Sequence, residues 1–491
     1  MADDCLTDEV FVTQASVMRQ CRRAVTPHQS LCDSFPSRGS LKSERQNEKY
    51  RNMYTKNDII TEERINSLRE IRNKKREKDF EALIPAMGKA AVDEISKIYE
   101  MFDHRMLIWL AGLWEPEIGG FYYSNSARDH EGFLPDLEST NQAIGFITRQ
   151  CRLCLGEENG EMPITKLPER FASKICSFAY GLQDEDGYFY HPQWGKDVPE
   201  TRKGRDHMAA WRLIEPLGVE CKYLRPTQRP KTGEKKVTLP EHFSSPEAFA
   251  AWLDTKELEG GRSYSFGHYI NSTTGYLFSA GKEYIDILVN WLNEHQNPEN
   301  GLWESKVTYD AVSGLMKLGL CYPDFGAALP YPEKSFESAM AAVLSDQPVT
   351  FGCEFYNAWA AMNASIKSME FAEDFVLADK CRKRLFEMAP ELIRVTGEKM
   401  AKCRVSDGSF AYFTEESGKT CPRSQGVPVG LADVREGDIN GNGCSTQAPL
   451  KHMFSAFGVS NPPFFCEEDA EFLFELMDAR VTAPKKAVAE R

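Results

Sequence analysis

The sequence contains no long hydrophobic run. The longest, Met106 to Trp114 (MLIWLAGLW), spans nine residues, against the roughly 20 needed to cross a bilayer. No membrane span is expected. The basic and apolar stretches of a secretory leader are also missing, since the chain opens Met1-Ala2-Asp3-Asp4-Cys5. Basic residues are in deficit, with 59 Lys+Arg against 73 Asp+Glu and a net charge of −14. That balance argues against a nucleic-acid partner, because such affinity rests on neutralising phosphates. Paired cysteines are scarce as well. The 14 cysteines stand mostly as singles, so reduced, buried thiols in a cytoplasmic protein are expected. Cys151 and Cys154 make one C-x-x-C in a helical pattern and read as two thiols on a helical turn. Ser/His/Asp elbows, phosphate-cradling loops and His-Glu-x-x-His zinc sites are lacking. Neither a metal nor a cofactor is expected.

What is present is a folded chain of 491 residues, 42% hydrophobic and 27% charged, enough for a sizeable core. Strand alternation is scarce, and most long segments carry helical periodicity. Residues 1–57 lack sustained periodicity and read as a poorly ordered or peripheral arm. Residues 58–84 read as a charged amphipathic helix with Thr61 as its N-cap and the basic cluster Lys74-Lys75-Arg76 on a solvated face. Residues 85–478 form the main helical domain, and 479–491 a tail. Within the domain a glycine-aromatic turn recurs after helices, at Gly119-Gly120-Phe121-Tyr122, Asp186-Gly187-Tyr188-Phe189, Asn300-Gly301-Leu302-Trp303 and Asp407-Gly408-Ser409-Phe410. The intervals leave room for further degenerate copies, and the run at 352–356 suits one of them. Repeated units of this length are helical hairpins that each leave an apolar face for a neighbour to cover. The glycine permits a tight turn, and the aromatic packs one hairpin end onto the next.

The run Gln183-Asp184-Glu185-Asp186-Gly187-Tyr188-Phe189 resembles the Gln-x-x-Asp-Gly-x-Trp repeat of terpenoid cyclases with Phe in place of Trp, and Gln296 to Trp303 is similar with one extra residue. The pattern thus resembles the α/α-toroid proteins, a group that includes terpenoid cyclases, prenyltransferase β-subunits, six-hairpin glycosidases and polysaccharide lyases. The resemblance implies an all-α toroid over roughly residues 90 to 470 but says little about the reaction, since the repeat is structural. Two departures matter. The Asp-x-Asp-Asp acid of class II cyclases is missing from the helical region, and so is the Asp/Cys zinc pair of the prenyltransferases.

In such an architecture the turns at one end line a central funnel, and four clusters in turns are candidates for its chemistry. Arg128, Asp129, Asp136 and Glu138 lie within eleven residues; with acids two apart, at most one of Asp136 and Glu138 is expected to be catalytic. Asp186 and His191 lie among aromatics suited to stacking on sugar rings, although an aspartate before glycine also closes its own turn. Arg262, His268, Tyr269 and Asn271 stand in what reads as an aromatic turn, a side-chain set similar to that of toroid lyases. Asp438 and Asn440 open a glycine-rich segment whose spacing starts like a calcium loop but has Pro449 where the bidentate Glu belongs. With Trp303 as a further stacking residue, the set predicts a carbohydrate-active enzyme. It would be a glycoside hydrolase or a polysaccharide or oligosaccharide lyase, acting on a small-molecule or oligosaccharide substrate in the funnel. A hydrolase would pair Asp136 or Glu138 with Asp186; a lyase would use His268 or Tyr269 with Arg262 or Asn271. A terpenoid-cyclase-like enzyme with an atypical acid and a non-catalytic helical scaffold are the alternatives.

Overall fold

The computed structural model describes residues 56–154, 163–226, 239–417, 423–431 and 434–479. The expected arm falls outside the described residues except for a short helix at Lys56–Ile59, and so does the expected tail apart from Ala479.

The described chain is all-α apart from two strand pairs of two residues each. Counting helices of eight residues or more, α1 spans Glu62–Met87, α2 Lys89–Tyr99, α3 His104–Gly112, α4 Leu137–Gln150, α5 Glu169–Gly181, α6 Glu200–Ile214, α7 Pro246–Leu253 and α8 Arg262–Ala280. They continue with α9 Lys282–His295, α10 Tyr309–Gly319, α11 Pro332–Leu344, α12 Gly352–Phe371, α13 Phe375–Ala401, α14 Ala448–Ala456 and α15 Glu467–Ala479. A helical turn at Ile439–Asn442 and a π-helical segment at Gly443–Gln447 lead into α14. No helix is long and apolar enough to cross a membrane among the described residues.

Packing follows from which helices are apolar all round and which are apolar on one side. Helices α10 and α12 are buried along nearly their whole length, and they sit within a run of neighbours: α6 packs on α4, α4 on the 439–442 turn, α14 on α12, α12 on α10, and α10 on α8. Helices with one apolar stripe lie against this run, α5 on α6, α9 on α8, α11 on α12 and α10, and α13 on α12 and α11. Helix α2 packs on α13, and α15 on α3.

The basic face of α1 is not uniformly solvated, contrary to expectation. Arg72 donates to both carboxylate oxygens of Asp469 at 2.8 and 2.7 Å, and Arg76 is buried against the Phe464 and Phe102 carbonyls. Lys75 remains at the surface with Glu467 and Glu468. Helix α15 supplies all three of these acids, so α1 belongs to the packed structure.

The recurrent turns share one construction. At Gly187, Gly301 and Gly408, φ is +84°, +66° and +87°. The side chain just before the glycine accepts the N–H two residues on: Asp186 from Tyr188 at 2.9 Å, Asn300 from Leu302 at 2.9 Å, Asp407 from Ser409 at 3.1 Å. The following aromatics Phe189, Trp303 and Phe410 are buried. Gln183 and Gln296 complete the motif. Each donates to its turn-glycine carbonyl and accepts the N–H of a distant tyrosine, Tyr223 at 3.0 Å and Tyr331 at 3.3 Å. At the first copy the left-handed residue is Gly119, not Gly120, within a strand pair that joins Trp114 to Phe121. The run at 352–356 is no copy, since it forms the first turn of α12.

Candidate functional site

The segment 113–124 is tied to the start of α4 and to the start of the 439–442 turn by isolated bridges. Phe121 pairs with Asp136, and three residues on, Ser124 pairs with Asp438. Asp136 caps α4, its Oδ1 accepting from the Ser139 N–H at 2.9 Å. Asp438 caps the 439–442 turn, accepting from the Gly441 N–H at 2.6 Å and the Tyr412 N–H at 3.2 Å. An aspartate at an N-cap satisfies otherwise orphaned donors, and this is why both acids are held so deep.

Beside Asp136, on the first turn of α4, stands Glu138. Both acids reach the same guanidinium. Arg202, fully buried on α6, hydrogen-bonds Asp136 at 3.1 Å, Glu138 at 2.9 Å and Asp206 Oδ2 at 3.0 Å, while Asp206 Oδ1 is 2.9 Å away in ion-pair contact alone. Its flat face lies 4.4 Å from the ring centroid of Trp194, a stacking that guanidinium groups favour. Glu138 also accepts from Arg205 at 3.0 Å and from the Ser424 hydroxyl at 2.6 Å. Three carboxyl groups thus face two guanidiniums inside the protein. Burial pushes Asp206 up to about 7 against the pull of Arg202, and the Asp136 and Glu138 carboxylates reinforce the rise. Burial alone would lower Arg202, but the three acids outweigh it and hold that side chain charged. Burial likewise pushes Asp438 up to about 7, against the backbone N–H groups of Gly441 and Tyr412.

Of the remaining residues singled out in the sequence, His191 is at this site and the others are dispersed. His191 is buried, its Nε2 2.8 Å from the Pro135 carbonyl, its Nδ1 accepting from the Gln193 N–H, its ring 4.4 Å from Trp194. Burial lowers its pKa, opposed by Asp136. Asn440 stands two residues from Asp438, with its Nδ2 buried and without a hydrogen-bond partner among the described residues. Asp186 is occupied by its turn and by the Tyr190 hydroxyl at 2.7 Å. Arg128 and Asp129 bond each other at 2.6 Å at the surface. Trp303 is buried and donates to the Leu292 carbonyl. The segment with Arg262, His268, Tyr269 and Asn271 is helix α8 and not a turn, because Gly261 at φ +83° starts a helix there. Its side chains separate accordingly: Arg262 pairs with Glu257, Tyr269 lies 3.0 Å from His242 Nε2, Asn271 donates to Cys321, and His268 stacks on Tyr264. Cys151 and Cys154 occupy a turn following α4, with Arg152 between them at φ 62°.

Sequence reasoning missed Arg202, Arg205, Asp206 and Ser424. The spacing of Arg202 and Asp206, four apart in TRKGRDHMAAW, was a legible helical ion pair. Nothing local tied it to Glu138. Among the described residues no group of three or more His, Cys, Asp or Glu side chains is placed to hold a metal ion. Two surface hollows, of about 250 and 230 Å³, share no residue with the acid cluster. No family model matches the chain, and no curated protein or solved structure is significantly similar to it.

Proposed function

We propose that this chain is an α/α toroid that works as a cytoplasmic glycoside hydrolase on an oligosaccharide, with Glu138, Asp206 and Arg202 at the centre of its acid–base chemistry. The toroid reading is supported by the continuous run of neighbours from α6 through α4, α14, α12 and α10 to α8, with single-striped helices against it. The glutamine-glycine-aromatic turns add support, as does their tie to a distant segment. The ten described cysteines are all free, which suits a reducing compartment.

The observation that carries the hydrolase reading is the crowding of three carboxyl groups about Arg202, with Asp206 titrating at about 7. Glycosidic cleavage requires one carboxyl that still holds its proton near neutrality and a second that is ionised. Burial, reinforced by the neighbouring Asp136 and Glu138 carboxylates, favours the protonated form of Asp206. The lyase version loses its support, because Arg262, Tyr269 and Asn271 are each bonded to a different partner along α8.

The test is a thermal-shift screen against neutral oligosaccharides, uronate oligosaccharides and polyprenyl compounds, followed by hydrolysis assays on any sugar class that binds. Binding at 100 times the dissociation constant stabilises by about 2.7 kcal/mol, well within detection. Glu138→Gln and Asp206→Asn should each lower turnover by about 10² or more, while Asp186→Asn and His268→Ala should keep it. Stabilisation by polyprenyl compounds alone would replace the hydrolase with a cyclase-like enzyme. If no class binds, the cluster serves folding only.

A further inference from the structure

The surface hollow of about 250 Å³ lies between α11 and α13, and apart from Cys381 its lining is all charge: Glu333, Glu337, Lys380, Lys383, Arg384 and Glu387. The two helices run side by side in the same direction, since Glu333 meets Lys380 at 2.5 Å near their starts and the Val343 carbonyl accepts from Lys399 at 2.7 Å near their ends. The Glu333–Lys380 pair matches two of the six charges. Glu337 and Glu387, Lys383 and Arg384 are left, two acids and two bases, all exposed, and neither a hydrogen bond nor an ion pair reaches them among the described residues. The same helix holds apolar surface in water. Phe375 is 58%, Val376 85% and Phe386 44% exposed. Spacings of seven, eight and eleven residues put Phe375, Val376, Lys383, Phe386 and Glu387 in one outward sector of α13, whereas Ala378, Cys381, Leu385 and Ala389 turn inward and are buried.

Large apolar side chains grouped in water mark a contact surface, and the charges beside them say what fits it. A small zwitterion would satisfy the acids and bases but leave Phe375, Val376 and Phe386 uncovered. A surface with equal unmatched acid and base is complementary to itself, which a two-fold contact between identical chains requires, because the same patch is presented from both sides. We propose that the outer face of α13 is the interface of a homodimer, in which Phe375, Val376 and Phe386 form the apolar centre, and Lys383 and Arg384 of each chain pair with Glu337 and Glu387 of the other. An antiparallel crossing of the two copies of α13 sets the Phe375 end of one helix against the Phe386 end of the other. None of these residues belongs to the acid cluster at Arg202, so the interface stands or falls independently of the hydrolase reading.

The experiment is analytical ultracentrifugation of the full chain from about 1 to 100 μM, the range in which a specific interface of ordinary strength is populated. The expected result is a reversible equilibrium that reaches twice the mass of the chain. Val376→Glu places a charge in the apolar centre at a position open to water in the monomer, so it should weaken dimerisation about tenfold or more and leave the circular dichroism of the chain unchanged. Reversing the bases, Lys383→Glu with Arg384→Glu, should weaken self-association as much, and so should reversing the acids, Glu337→Lys with Glu387→Lys. Mixing the two reversed chains should restore a dimer, since each then meets its opposite charge, and misfolding of either variant cannot produce that recovery. A chain that stays monomeric throughout would overturn the proposal. A dimer that Val376→Glu and both reversals leave intact would place the interface elsewhere, and folded reversed chains that fail to recombine would refute the charge pairing on which the choice of partner rests.

Discussion

Glu138 and Arg202 stand 64 residues apart in the chain and meet at 2.9 Å in the interior, where each has two or more further charged or polar partners. Their contact joins the first turn of α4 to the first turn of α6, so the same ion pair aligns two helices and gathers three carboxyl groups in one place. Desolvating so many charges is repaid only while every partner is present.

Arg202→Met is therefore expected to be severely destabilising. Methionine fills much of the volume and can still lie against Trp194, but it leaves Asp136, Glu138 and Asp206 facing one another without their shared cation. A loss of about 3–5 kcal/mol is expected, as for other buried pairs broken on one side. Urea denaturation checks it, and a loss below about 1 kcal/mol would mean that the acids are not held by this residue.

Asp206 makes the stability pH-dependent in a definite direction. Its carboxyl is raised from 3.8 to about 7, so between those values the folded protein keeps a proton that the unfolded chain has released. The slope of unfolding free energy with pH is then negative, and this contribution is lost as pH rises through the window. Asp206→Asn cannot titrate. The stability of the wild type relative to this variant should fall from acid pH to about 7 and level off above it. Denaturation midpoints measured across the window decide the matter, and a difference that stays constant would contradict the shift.

The turn glycines should divide by their surroundings and not by their φ. A Cβ at Gly187 would lie 2.3 Å from the Leu224 carbonyl oxygen, whereas at Gly218, φ +71°, nothing stands within 4 Å. Gly218→Ala should cost only the left-handed strain of about 1–2 kcal/mol. Gly187→Ala should cost clearly more, because backbone must move to relieve the overlap. Thermal melts of the two variants side by side give the comparison, and equal losses would show that the close approach at Gly187 relaxes freely.

Much of the helical content was legible because apolar residues recur at helical spacing through segments such as EYIDILVNWLNEH, and the glycine-aromatic turns were legible because both chemistry and spacing repeat locally. Even there the reading slipped where two glycines adjoin, at Gly119 and Gly120, since either could take the left-handed conformation and only the pairing of Trp114 with Phe121 selects one. The helix at Arg262–Ala280 was mistaken for a turn because Gly, Ser and aromatics dominate it, a composition that favours turns until burial against α10 imposes the helix.

The sequence by itself determined helix-forming periodicity, the repeated turn, the absence of a membrane-length apolar run and the positions of individual acids. Which acids matter together was decided by tertiary structure alone. Asp136 and Glu138 acquire their setting from Arg202 and Ser424, 64 and 286 residues away from Glu138. The raised carboxyl of Asp206 likewise comes from water excluded by packing and from acids on another helix. Local spacing encodes interactions that span a turn or two; desolvation and charge convergence depend on distances that only the folded chain defines.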